Sequence, residues 1–343
     1  MAPLFPDRVN ATADEIPALV GQEHSALRPL IQENPPAMDK QVFSRDWLYR
    51  WLVIVASAVV AAIGLFLMRM RIEETLLDHA WKAVFIPFAV GLIFAALASR
   101  VRSLAFVFSA CADFFSSVSQ WAAFAVVGLL LTYFAASADL PLMDHIFARL
   151  DAAMGLRFDD VNVWLQQHPI LRSALWLAYI GGGMQIPGLF LFHCMRAPGE
   201  GSGELLWNFM VSLLIVTAIS VFLPAAAMPG MVGHEHIDTF YAVRNGSITV
   251  LNQSNIAGLI TFPSWHTAMG VIFMYSARTA KWLLAALAPL NVLLILGTVP
   301  CGGHYLVDTI AGLIVAAVSI LVVRKIRRAS VVPGSQRAIS EDS

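Results

Sequence analysis

The chain has 343 residues, a net charge of −1, 58% hydrophobic and 13% charged side chains, and a mean hydropathy of +0.70; soluble domains run nearer to roughly 45–50% and 25%. Of its 45 charged side chains (22 Lys and Arg, 23 Asp and Glu), 18 lie in the first 46 and last 20 residues, leaving 27 for the 277 between. That excludes a soluble globule of this size, disorder in the middle, and a basic nucleic-acid binder, while Cys111, Cys194 and Cys301, scattered and odd in number, exclude a disulfide framework and a paired zinc signature.

Residues 1–46 hold seven acidic and four basic residues and prolines at 3, 6, 17, 29, 35 and 36. They read as a polar, mobile cytoplasmic tail with no cleaved signal peptide. Apolar runs follow at about 48–68, 82–99, 117–136, 170–194, 205–227, 264–280, 282–299 and 304–323. A helix needs about 20 residues to cross the hydrocarbon, so the expectation is an all-α, polytopic membrane helical bundle of about eight transmembrane helices. The run 264–280 is the shortest. The run 170–194 is broken by Gly181, Gly182, Gly183 and Pro187, which reads either as a kinked packing helix or as backbone facing a cavity.

The Lys and Arg distribution sets the orientation. With eight spans, one side holds Arg45, Arg50, Arg100, Arg102, Arg196, Arg278, Lys281, Arg324, Lys325, Arg327 and Arg328. The other holds Arg69, Arg71, Arg149, Arg157, Arg172 and Arg244, beside Asp139, Asp144, Asp151, Asp159 and Asp160. Both termini are therefore expected in the cytoplasm, with 137–169 and 228–263 facing outward.

Between Asp238 and Glu341 the one acid is Asp308, four positions after His304 in the last apolar run. An ionisable group in such a segment is a functional candidate, and the i, i+4 spacing puts both groups on one helix face. The carboxylate can fix the imidazole tautomer and leave the other nitrogen as nucleophile or base; a pair that only satisfies itself between packed helices is the alternative. Ser264, His266 and Thr267 follow Pro263 at the start of the run 264–280. Such a start is an ordinary helix cap or an anion site. The hairpin formed by 264–280 and 282–299 returns His304 to the face where His266 begins. Two imidazoles, a carboxylate and Gly302-Gly303 then meet at one membrane face, a suitable set for phosphate chemistry.

Phe262-Pro263-Ser264-Trp265-His266 resembles the Pro-Ser-Gly-His signature of the type-2 phosphatidic acid phosphatase superfamily, and Gly303-His304-Tyr305-Leu306-Val307-Asp308 resembles its last motif. The variant form is most similar to the inositol phosphorylceramide synthase branch, an inositolphosphotransferase group. The resemblance implies a six-helix catalytic core over 117–323, preceded by two accessory spans in 47–116 and followed by a basic cytoplasmic tail, 324–343. It implies His304 as the nucleophile forming a phosphohistidine, Asp308 as its partner and His266 as the general acid. Ser264 and Gly303 would contact phosphate oxygens. It implies no cofactor and no metal, a phosphorylated lipid as substrate, an alcohol as acceptor where the reaction is transfer, and an active site on the extracytoplasmic face. No nucleic-acid partner is expected.

Two motif features are missing. Thr298 stands where the superfamily has an arginine, and the lysine and Arg-Pro of its first motif are absent. Arg244, the lone Lys or Arg in 228–263, is the candidate phosphate cation, with a solvated loop arginine as the alternative. His234, Glu235, His236 and Asp238 read as a solvated turn rather than a metal cluster. Outside enzymes, the competing reading is an ion- or proton-coupled transporter built on Asp308 and the broken run.

Overall fold

The computed structural model describes residues 44–197, 201–228, 230–231 and 235–331. The expected tail thus lies almost entirely outside the described residues, as does 332–343. Among the described residues the fold is all-α, with twelve α-helices and one two-residue parallel strand pair, Arg71–Ile72 with Val250–Leu251. It is a multi-pass membrane bundle. Six helices are long and apolar enough to cross a bilayer: α1 (Arg45–Leu67), α2 (Glu74–Arg100), α3 (Ala105–Ala136), α8 (Gly201–Phe222), α11 (Lys281–Gly302) and α12 (Leu306–Val331). The bent pair α6 (Pro169–Ile180) and α7 (Gln185–Arg196), turned by 50°, is long and apolar enough together for either a broken seventh span or a re-entrant loop.

The eighth expected span is shorter than its apolar run. Helix α10 covers Trp265–Ala277, 13 residues, about 20 Å at 1.5 Å per residue against roughly 30 Å of hydrocarbon. Its start is fixed by Ser264, whose Oγ accepts the Thr267 N–H. The bend between α6 and α7 falls at the glycines, where Gly182–Met184 form a 3₁₀ turn. Pro187 is the third residue of α7, where no intrahelical N–H bond is lost.

Helix α3 begins a dozen residues before the apolar run, so the expected boundary at 116/117 lies inside one continuous helix. Its first half carries Ser116, Ser119 and Gln120, all buried. Ser116 Oγ accepts the Trp47 indole N–H at 2.7 Å, and Ser119 Oγ donates to the Val84 carbonyl at 2.8 Å. These polar groups bond neighbouring helices, not water. At the other end of the sequence, the Arg324–Arg328 cluster continues α12 rather than leaving it.

Three short helices lie in the two segments expected to face outward: α4 (Asp144–Ala153), α5 (Phe158–Gln166) and α9 (Glu235–Arg244). The apolar core between α7, α8, α10 and α12 is built from Ile186, Phe190, Phe209, Ile272, Phe273 and Val315. It fixes the two motif-bearing helices, α10 and α12, against each other. A Cβ at Gly312 would fall on the Ser264 carbonyl and within 2.8 Å of Thr267 Cβ, so glycine permits the close approach of α12 to the start of α10.

Candidate active site

The segment between α11 and α12 makes a tight reversal. Gly303 caps α11 in the left-handed conformation, φ 69°, accessible to glycine at little cost. A Cβ there would collide with the Met228 carbonyl. The Gly303 N–H is taken by the Val299 carbonyl at 3.1 Å and its own carbonyl accepts from Met228 N–H at 2.8 Å. The expected phosphate contact by Gly303 is therefore corrected. Its donor is spent on the helix cap, and its role is to turn the chain so that His304 faces inward; Gly302, its neighbour, lines the cavity.

His304 and Asp308 are buried, the latter completely. His304 Nδ1 lies 3.3 Å from Asp308 Oδ2, and Nε2 lies 3.5 Å from Ser264 Oγ. An Nδ1–H donating to the carboxylate leaves the Nε2 lone pair directed to the Ser264 side. Burial holds the His304 imidazole below its ordinary value, which keeps it neutral, the form a nucleophile requires. Asp308 Oδ2 also accepts the Tyr305 N–H at 2.9 Å, and the Asp308 carbonyl accepts the Ser264 N–H at 3.0 Å, so the two motifs are bonded directly. Asp308 Oδ1 has no partner among the described residues.

His266, on the first turn of α10, presents its ring 6.4 Å from the His304 ring and stacks on Tyr179 at 4.6 Å. Both histidines open on one cavity of about 380 Å³. Its lining includes Thr132, Tyr179, Thr261 and Gly302 together with apolar Leu213, Val216, Ile260 and Trp265. Ser264 is fully buried behind His304, receiving bonds from the Thr267 N–H and hydroxyl at 3.4 and 3.2 Å.

Arg244 is not in this cavity. Its guanidinium donates to the carbonyls of Ala136, Ala138 and Leu140, the end of α3 and the loop after it, with Asp139 at 3.8 Å. This corrects the expectation of a phosphate contact. Exposed carbonyls at a helix C-terminus attract a cation, and Arg244 is committed to them. Thr298, in the place of the superfamily arginine, bonds the Ile295 carbonyl at 2.7 Å and the Thr309 hydroxyl at 2.9 Å. Among the described residues no lysine or arginine lines the cavity.

The turn that read as solvated is divided. His234 lies outside the described residues, but Glu235 and His236 open α9 and line the same cavity as His266 and His304. The available signal was topological, since the segment 228–263 leads directly into α10, at whose start His266 lies. Asp144 and Asp151 were also missed. Their partners are the Ala226 and Ala227 N–H groups and the Tyr305 phenol for Asp144, and the Leu306 and Val307 N–H groups for Asp151. Burial beside Asp144 pushes the Tyr305 phenol up, so it remains a donor.

Fold and site together define a multi-pass α-helical membrane protein with a buried His–Asp pair and a second histidine beside a partly open cavity. A family model described as the PAP2 superfamily matches residues 145–322, 178 of 343 positions, and the chain belongs to that superfamily. Its members are phosphatases or phosphotransferases, which makes this a phosphatase-type membrane enzyme. No curated protein and no solved structure matches the chain.

Proposed function

We propose that the enzyme acts on a lipid phosphate through a phosphohistidine at His304, resolved by water or by an alcohol. The observation that carries this reading is the position of the His304 imidazole, with Nδ1 on Asp308 and Nε2 towards Ser264, at the wall of a cavity shared with His266. In the first half-reaction His266, protonated when the phosphate anion binds beside it, serves as the acid: Nε2 of His304 attacks phosphorus, the bond from phosphorus to the leaving alkoxide breaks, and His266 gives that oxygen its proton. In the second, water or an alcohol attacks phosphorus, His266 takes the proton back, and the N–P bond breaks to restore His304. Asp308 holds the tautomer and offsets the positive charge of the intermediate.

The apolar lining residues Leu213, Val216, Ile260 and Trp265 suit a lipid chain, and the polar ones suit its head group. With no lysine or arginine among the described lining residues, stabilisation of the phosphoryl oxygens falls to hydroxyl and N–H groups. His266, His236 and Thr261, which line the cavity, supply them, while Ser264 acts behind His304, and no metal enters the reaction. Motif form favours the inositol phosphorylceramide synthase-like branch and hence transfer. The charge distribution favours cytoplasmic termini with the cavity opening on the extracytoplasmic side. Family membership leaves the transporter reading without a feature that needs it.

The test is to incubate purified protein in EDTA with radiolabelled phospholipids, with and without candidate alcohols. Free phosphate or phosphorylated head group in water marks hydrolysis, and a new labelled lipid marks transfer. No product in either arm, or an absolute divalent-metal requirement, contradicts the reading.

A further inference from the structure

Helix α4 lies outside both motifs, yet it contacts the segments that carry them. Asp144 and Asp151 are seven positions apart, two turns along one face, with Phe147 between them. Asp151 is only 3% exposed. Its Oδ2 accepts the Leu306 N–H at 2.7 Å and its Oδ1 accepts the Val307 N–H at 3.1 Å. These are the first two N–H groups of α12, which have no acceptor within the helix, and a carboxylate is favoured there by the helix dipole as well. Asp144 accepts the Ala226 N–H at 3.0 and 3.1 Å, the Ala227 N–H at 3.2 Å, and the Tyr305 hydroxyl at 3.1 Å. The Phe147 ring lies 4.5 Å from Phe262, just before the Ser264 motif, and 5.8 Å from Tyr305.

The N–H groups of residues 305, 306 and 307 thus end on carboxylates, one from Asp308 and two from Asp151. His304 sits immediately before this run. A shift of the run would move its ring relative to Ser264 and His266, and the Asp151 bonds hold the run from the side opposite the Gly303 cap.

We infer that α4 is a clamp for the nucleophile: Asp151, seconded by Asp144 through Tyr305, is a positioning residue that sets His304 against phosphorus without touching substrate. This rests on the reading of His304 as the nucleophile. A small displacement of a reacting group costs about a hundredfold in rate, whereas binding along the apolar lining residues does not involve the clamp. Asp151→Ala should therefore lower kcat per folded molecule about a hundredfold and leave KM for the lipid nearly unchanged. Asp151→Asn keeps one acceptor oxygen and should fall between the two. Tyr305→Phe removes one bond to a carboxylate and should lower kcat by about tenfold.

The experiment measures kcat, KM and thermal unfolding for these variants beside wild type and His304→Ala, all purified in the same detergent. A role confined to stability would lower the unfolding temperature and leave kcat per folded molecule as in wild type. Wild-type kcat in Asp151→Asn and Tyr305→Phe overturns the clamp even where Asp151→Ala does not fold. Activity in His304→Ala overturns the underlying mechanism instead, so the two failures are distinct.

Discussion

The two ends of the bundle bury charge in opposite ways. At the end away from the cavity, Arg50 is 2% exposed and fully engaged: it pairs with Asp46, and its Nε donates to Gln120 Oε1 at 2.7 Å. Asp46 also accepts the Trp207 indole N–H at 2.6 Å, and Asp113 accepts from Ser202 at 2.9 Å and Cys194 at 3.0 Å. At the cavity end, Asp308 is equally buried but one oxygen lacks a partner among the described residues, its bond to His304 is long at 3.3 Å, and open space adjoins the imidazole. Bonds of this kind between buried charges and side chains of other helices tie those helices together. An incompletely saturated network beside a cavity has donors and acceptors left for a substrate.

The contrast makes mutations at the two ends fail differently. The largest effect belongs to His304→Ala, which should abolish turnover while the protein still inserts and purifies. Asp308→Asn should come close to it, and wild-type rates in that variant would reduce Asp308 to packing. His266→Ala should slow turnover by roughly 10²–10⁴-fold, the usual loss for a general acid, with a leaving group of lower pKa partly restoring the rate. His236→Ala should raise KM for lipid phosphate severalfold with a smaller change in kcat; an unchanged KM would remove it from the phosphate site. Arg244→Ala should leave KM as it is and lower the unfolding temperature, because the arginine holds the carbonyls that end α3. Arg50→Ala should also act on stability alone, since it strands Asp46 and Gln120; a selective loss of kcat there would break the comparison.

Much of the bundle is legible in the sequence because lipid imposes long apolar runs, and the i, i+4 spacing of His304 and Asp308 is local. What escapes is set by partners far away in the chain. Asp151 bonds residues 155 and 156 positions on, and Asp144 meets Tyr305 across 161, so in the sequence both read as loop charges. The amphipathic pattern of Ile146, Phe147 and Leu150 was the available sign of α4, but it is too short to register as a span. Hydropathy also hides the first half of α3, whose serines and Asp113 lower the average although they face protein. Arg244 misled for a related reason. A lone cation in an outer segment has two electrostatic destinations, a phosphate or a helix C-terminus, and only the tertiary fold shows which one is near.

The central claim is a covalent bond from phosphorus to His304, and trapping it is the direct test. Purified enzyme is mixed with phosphorus-labelled lipid, quenched in alkali, digested and sequenced. An alkali-stable, acid-labile label is expected on the peptide containing His304, absent in His304→Ala. Label that persists in His304→Ala, or steady turnover with label on another residue, would contradict it.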